Sequence, residues 1–380
     1  MTTIKNKPIN ICSIVSYKIY PAVIGGQKGI ALFYKYFSKL FPLTIISTKN
    51  NEAPEQLRGD FLPILSNSGT RYINPFLLIT LGNIIKKKNI THLILEQPFY
   101  GWLGVLAKWI FRITLIVHSH NIESLRFKST GSWWWGILWH YERFVFRHAN
   151  ICFFISEEDR NYAVEKYKLK ENHCHIITYG FDFNNPPTDE EKSEAKKSIL
   201  IKHNILPTDK ILLFNGTLDY KPNLDAVNYI LQQINPILNS RQDFHYKIII
   251  CGKNLPQEYN ELIEYKKNNI IYAGFVDDIS LYFKGADIFI NPVTDGGGIK
   301  TKLVEALGNN LFCISTTEGA YGVPVSITGN KLKIVSEKNW EMFAKAIIES
   351  NPNDGQINEK FFNHFYWKNI AEKAKSAILD

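Results

Sequence analysis

At 380 residues the chain is too long for one ordinary core and suits two domains of about 200 residues or fewer each. A composition 45% hydrophobic and 21% charged is that of a folded globular protein and excludes a disordered one. The formal net charge of +8 gathers locally in "IIKKKN" and "AKWIFR", while the aromatics sit in apolar runs. That argues against nucleic-acid binding and leaves an anionic membrane surface or an acidic substrate as the partner the charge suits.

Met1 leads through polar residues into "INICSIVS", which lacks a small-residue cleavage site and reads as a first strand, not a signal peptide. Export is therefore not expected, and the chain is placed in the cytoplasm or at the inner face of the cell membrane. Gly25 and Gly26 follow that strand and open a helical segment, without the GxGxxG spacing of dinucleotide binding. Further apolar runs, "LTIISTK", "THLILEQ", "TLIVHSH", "ICFFIS" and "CHIITYG", alternate with helix-like segments. They read as parallel strands buried on both faces. The longest apolar reach, "GWLGVLAKWIFRITLIV", is interrupted by Lys108 and Arg112, so no spanning helix is expected.

"HSH" at 118–120 and "HCH" at 173–175 could each pair two histidines on one strand face, but no third ligand is evident and no metal is expected. The five cysteines, an odd number without CxxC, read as small core residues in a reducing compartment. In "STGSWWWGILWHYERFVFRHAN", Trp133, Trp134, Trp135 and Trp139 with Arg143 and Arg147 suit either an interfacial helix or packing on the first sheet.

"FDFNNPPTDEEKSEAKKSILIKHNI" opens on asparagines and prolines and continues as a capped helix, acidic first and basic last. The domain boundary is expected at Asn184–Pro187, giving a first domain 1–185 and a second 186–358. The C-terminal helical segment 359–380 is free to pack back on the first domain. The second domain repeats the α/β pattern in "KILLFNG", "YKIIICG", "NIIYAGF", "DIFINPV" and "FCISTT". Two doubly wound domains in tandem follow, with ligands beyond the carboxyl ends of the strands in a cleft between them.

"NPVTDGGGIKTKLVEALGNN" carries the sharpest chemical signal. Thr294–Gly298 lies between a strand's carboxyl end and a helix start, where unpaired N–H groups and the dipole favour an anion. Glycine lets the backbone approach a ligand, Lys300 and Lys302 add charge, and Glu305 lies near enough to accept hydrogen bonds from sugar hydroxyls. A nucleotide fits this set; a tight turn with solvated lysines is the plainer alternative.

Taken with "YPAVIGGQKGIALFYKYFSKL", "LIVHSHNIES", "YERFVFRHANICFFISEEDRNY", "IITYGFD", "ILLFNGTLDYKPNLDAVNYI" and "NIIYAGFVDDISLYFKGADIFINP", this stretch resembles the retaining glycosyltransferases of family 4, the glycosyl transferases group 1. The resemblance runs in order over most of the chain. It implies a GT-B fold of two facing Rossmann-like domains and transfer of a sugar from a nucleotide diphosphate sugar, UDP- or GDP-linked, to a hydroxyl with retention. The acceptor implied is a glycan or a lipid-linked one, in cell-surface polysaccharide or lipopolysaccharide biosynthesis. No cofactor or metal is obligatory and nucleic acid is not a partner.

By position, the resemblance implies donor binding by Gly25, Gly26, Gln27, Thr217, Lys221, Gly297, Gly298, Ile299, Lys300, Thr301, Lys302 and Glu305. It assigns catalysis to His120, Lys300 and Glu305, with His118 and Glu123 as spare or acceptor-side residues and Glu142 as a buried acid. Two departures stand out. Gly297 occupies the place of the first acid of Glu-x7-Glu, and Thr217 and Pro222 replace an arginine and a lysine that hold the diphosphate. Two alternatives stay in view: a nucleotide-sugar epimerase on the same fold, which would want the acid that Gly297 removes, and a non-catalytic nucleotide-binding subunit, which the two departures support.

Overall fold

The computed structural model describes residues 8–22, 25–52, 54 and 57–380. The polar lead before the first strand and Val23–Ile24 of the glycine loop lie outside the described residues. The chain divides into two compact units: the residues up to Tyr179 together with Trp367–Asp380, and Gly180–Tyr366. Phe181, ahead of the proline pair, already belongs to the second unit; its N–H donates to Phe365 O at 2.9 Å and its ring stacks on Phe183 and Phe361.

The first unit is built on a seven-stranded sheet. Its strands are β1 (Ile11–Val15), β2 (Leu43–Thr48), β3 (Asp60–Leu65), β4 (His92–Glu96), β5 (Thr114–Ser119), β6 (Ile151–Phe154) and β7 (Cys174–Ile176). They lie in the order β3-β2-β1-β4-β5-β6-β7, every pairing parallel. β1 and β2 are buried throughout, as strands covered on both faces by helices must be. The edge strand β3 is half-exposed and holds Pro63, so it does not read as an apolar run; a proline without an N–H is tolerated at such an edge. The C-terminal helix Trp367–Leu379 belongs to this unit, where the Trp367 ring centroid lies 6.3 Å from that of Phe33 and 5.5 Å from that of Tyr179.

The second unit holds β8 (Lys210–Asn215), β9 (Tyr246–Cys251), β10 (Ile270–Gly274), β11 (Ile288–Asn291), β12 (Phe312–Thr316) and β13 (Leu332–Val335) in the order β10-β9-β8-β11-β12-β13, again all parallel. β13, unread in the sequence, is a four-residue edge strand with Lys333 exposed. The helix Asp189–His203 that leads into this sheet has a capping box between Thr188 and Glu191 and ends on Asn204 in the left-handed region. Strand order reverses between β1 and β4 in one sheet and between β8 and β11 in the other. Loops leaving the carboxyl ends of those strands diverge, which opens a crevice for a ligand. Gly25–Gly26 and Glu96–Gln97 follow the first pair of strands; Gly216–Thr217 and Pro292–Lys300 follow the second.

Candidate functional site

In the second unit, β11 ends at Asn291, whose Nδ2 donates to Ser315 Oγ (3.1 Å) and Gly319 O (2.9 Å). The chain then turns through the glycines into the helix Thr301–Gly308. Gly296 has φ +98° and Gly298 φ +71°, conformations that L side chains rarely adopt. A Cβ on Gly296 would also sit 3.2 Å from both Pro222 Cγ and Tyr220 Oη. Gly297 between them is exposed and Ile299 is half-buried. Lys300 folds back over this turn: its Nζ donates to Gly296 O (2.6 Å) and Gly298 O (3.0 Å) and lies 3.5 Å from Glu318 Oε1.

Lys302 points the other way. Its Nζ donates to Asn223 Oδ1 at 2.8 Å and stands 4.3 Å over the Phe214 ring of β8. Burial, with Lys300 nearby, pushes its ammonium down to about 7, because a desolvated charge is costly. Asn223 in turn donates from Nδ2 to Thr217 O (2.9 Å), so one amide ties the β8 loop to the β11 turn. Thr301 and Glu305, both half-buried, lie on the helix that follows. Lys221 is apart from this group: its side chain is 82% exposed and its Nζ pairs with Asp225 at 2.5 Å.

In the first unit, Gly25, Gly26 and Gln27 form the first turn of the helix Gly25–Phe37, and Gln27 Nε2 donates to Lys18 O at 3.2 Å. His118 and His120 do share a face at the end of β5, their ring centroids 4.7 Å apart. Between them sits the Glu96 carboxylate at the end of β4, 3.2 Å from His118 Nδ1 and 2.5 Å from His120 Nε2. Tyr34 Oη also donates to Glu96 and is itself 2.5 Å from Ser13 Oγ. Burial would raise the Glu96 carboxyl, but the two histidines outweigh it and hold it well below the usual carboxylate range.

Glu123 is buried and fully engaged, accepting from Gln97 Nε2, Asn121 Nδ2 and the Arg126 guanidinium. Glu142 is buried as well, accepting the backbone N–H groups of Glu123 and Ser124 and the Tyr167 hydroxyl, each at 2.9 Å. It thus caps the helix Glu123–Ser129 from the neighbouring helix Trp135–His148.

These elements match known families over most of the chain. Residues 209–350 match the model of the glycosyl transferases group 1, and residues 25–185 that of glycosyltransferase family 4. The chain belongs to the group 1 glycosyltransferases. Over 159 residues this group 1 glycosyltransferase is 30% identical to a Klebsiella pneumoniae protein described as an uncharacterized 44.6 kDa protein in the cps region; the match spans 40% of each chain. Its fold is that of Anabaena Alr3699/HepE, solved with UDP, at TM-score 0.72 and 12% identity over 98% of this chain and 100% of that one. It is also that of WaaG, described as a glycosyltransferase involved in lipopolysaccharide biosynthesis, at TM-score 0.61 and 14% identity over 96% and 94% of the two chains. Two parallel Rossmann-like sheets with such neighbours make this a GT-B fold.

Among the described residues of the group 1 glycosyltransferase, Glu96, His118 and His120 are a group whose ligand atoms lie within 4.8 Å of one another, a spacing open to a divalent ion. Glu96 is the third member that "HSH" lacked in the sequence. The tryptophans divide: Trp139 Nε1 donates to Tyr162 Oη and its ring packs on Tyr167, whereas Trp133 is 85% exposed. Trp134 lies against Phe127, and Lys128 stands over Trp135. Among the described residues no helix is long and apolar enough to cross a membrane. Glu96, Asn223 and Glu318 are marked for the site by no motif legible in the sequence. Only for Glu96 was there a signal, an acid ending an otherwise apolar strand.

Proposed function

We propose that the chain moves a hexose-type unit from a UDP- or GDP-sugar to a hydroxyl of a glycan or lipid-linked acceptor, with retention. Its proposed setting is cell-surface polysaccharide or lipopolysaccharide assembly, in the cytoplasm at the inner membrane face. The observation that carries this reading is the turn Asp295–Lys302, where two positive-φ glycines, a helix start and a lysine depressed by burial meet. Such a lysine lacks an anion, and a diphosphate would supply one.

The backbone of Gly297, Gly298 and Ile299, with Lys300, Thr301 and Lys302, is assigned to the diphosphate, and Glu305 to the ribose hydroxyls. Lys300 and Lys302 stabilise the charge that develops on the leaving group. Thr217, Gly25, Gly26 and Gln27 are assigned to the donor's flanks, as is Lys221, which must leave Asp225 to reach it. His120 is assigned to the transferred sugar. The proton of the attacking hydroxyl goes to the leaving phosphate on the same face. Support from relatives is chemical: the Anabaena protein was solved with UDP and with UDP-glucose, WaaG belongs to lipopolysaccharide biosynthesis, and the Klebsiella relative lies in a cps region.

The test is nucleotide release from a panel of UDP-, GDP- and other nucleotide sugars, with and without acceptor glycans. Release that accelerates with an acceptor supports the reading; isomerised sugar without release, or binding alone, sinks it. Glu305→Ala should abolish donor binding in calorimetry while the thermal melt stays intact, and normal affinity in that variant would refute the ribose assignment.

A further inference from the structure

The Glu96 cluster has a chemical logic of its own. An ionised carboxylate is acceptor-only, so each group facing it must donate. Tyr34 gives its O–H, His118 its Nδ1–H and His120 its Nε2–H. In a neutral imidazole the tautomer then follows. His118 keeps a lone pair on Nε2, which is buried and without a partner, as a nitrogen carrying no proton can be. His120 keeps its lone pair on Nδ1, and its side chain retains 16% exposure. The carboxylate is itself fixed from the core through Tyr34 and Ser13, so it cannot swing away with the rings.

We propose that Glu96 is a positioning residue for the transfer: by accepting the Nε2–H of His120 it locks that ring's plane and tautomer and makes Nδ1 a hydrogen-bond acceptor for a hydroxyl of the bound sugar. The second imidazole, His118, fills the other side of the same carboxylate. Its ring lies against Phe33 and Phe153, with centroids 5.3 and 5.9 Å away, so it braces Glu96 and does not reach a ligand. A carboxylate that orients a histidine and selects its tautomer is a general device. Here one carboxylate serves two rings. The inference rests on the assignment of His120 to the transferred sugar.

The experiment is a long-range proton–nitrogen correlation spectrum of the full chain labelled in histidine, with His120 assigned by loss of its signals in His120→Ala. The wild-type ring should show Nε2 protonated and Nδ1 bare. Glu96→Gln, which keeps the size of the side chain, should show mixed tautomers at His120. Its turnover should fall on the order of 100-fold, as for a displaced catalytic group, with donor affinity unchanged. Glu96→Gln added to His120→Ala should cost no further turnover, since the two act as one unit. Should Glu96→Gln fail to fold, the wild-type spectrum still decides, because a His120 ring protonated on Nδ1 overturns the proposal. An unaltered His120 spectrum in Glu96→Gln overturns it too, as does a stoichiometric zinc ion that Glu96→Gln loses. Normal turnover in His120→Ala alongside the expected spectrum removes the role given to His120 and with it the purpose of Glu96. Impaired His120→Ala with an unaltered Glu96→Gln spectrum removes Glu96 alone.

Discussion

Lys302 shows how one side chain can carry both the stability and the chemistry of a site. Its ammonium rests over Phe214 with Asn223 as partner, and burial lowers it to about 7 from an ordinary 10.5. Between those values the unfolded chain holds a proton that the folded chain does not, so this residue makes stability rise with pH across that window and adds no slope below it. Chemical denaturation at intervals from pH 7 to 10 should therefore give a shallower rise in Lys302→Met than in the wild type; parallel curves would contradict the burial argument. A diphosphate beside Lys302 would return the missing proton. Calorimetry of donor binding at pH 8 in buffers of different ionisation heat should accordingly register proton uptake, and none would count against the diphosphate assignment. At this scale Lys300, Lys302 and Glu305 were legible, since their spacing into a helix start is local. Asn223 and Glu96 were not, because each meets its partner from a different strand or loop, 79 and 24 residues away along the chain.

Among the elements, most strands declared themselves as apolar runs, the edge strands β7 and β10 included, whereas the other two edge strands, β3 and β13, did not. An edge needs no continuous apolar sequence, so a proline or lysine can enter it. Helix capping shows the same limit. Thr188 and Glu191 cap their own helix and are readable as a pair three residues apart. The helix Glu123–Ser129 is capped instead by Glu142, 19 residues away on another helix, which the sequence marks only as an acid among aromatics. Burial holds the Glu142 carboxyl above its usual value in spite of the donors around it. Glu142→Ala leaves two backbone N–H groups without an acceptor and leaves the Tyr167 hydroxyl only Ser124 Oγ, 3.2 Å away. It should cost about 1–3 kcal/mol in urea unfolding. A variant as stable as the wild type would show that water replaces the cap.

At the scale of the whole molecule, two parallel sheets with the strand reversal of Rossmann-like folds place the glycine turn, the β8 loop and the histidine–glutamate cluster at carboxyl strand ends. The first unit also carries apolar side chains on its surface, Trp133 at 85% and Ile137 at 68% exposure, on a chain of net charge +8. On the proposed setting at the inner membrane face, binding to vesicles rich in anionic lipid should weaken several-fold in a Trp133→Ser, Ile137→Ser variant and fall with added salt, since apolar burial and charge would both contribute. Sedimentation with such vesicles checks it, and unchanged binding in a folded variant ends the membrane assignment of that surface. The sequence by itself determined the class of fold, the succession of most buried strands along the chain, the glycine turn with its two lysines and the family. All of these are written in periodicities and motifs a few residues long. Only the tertiary structure decided which groups share a proton, which acid caps which helix and which tryptophan faces outward. Those outcomes depend on strands brought side by side by hydrogen-bonded register, and a linear pattern does not encode register between distant segments.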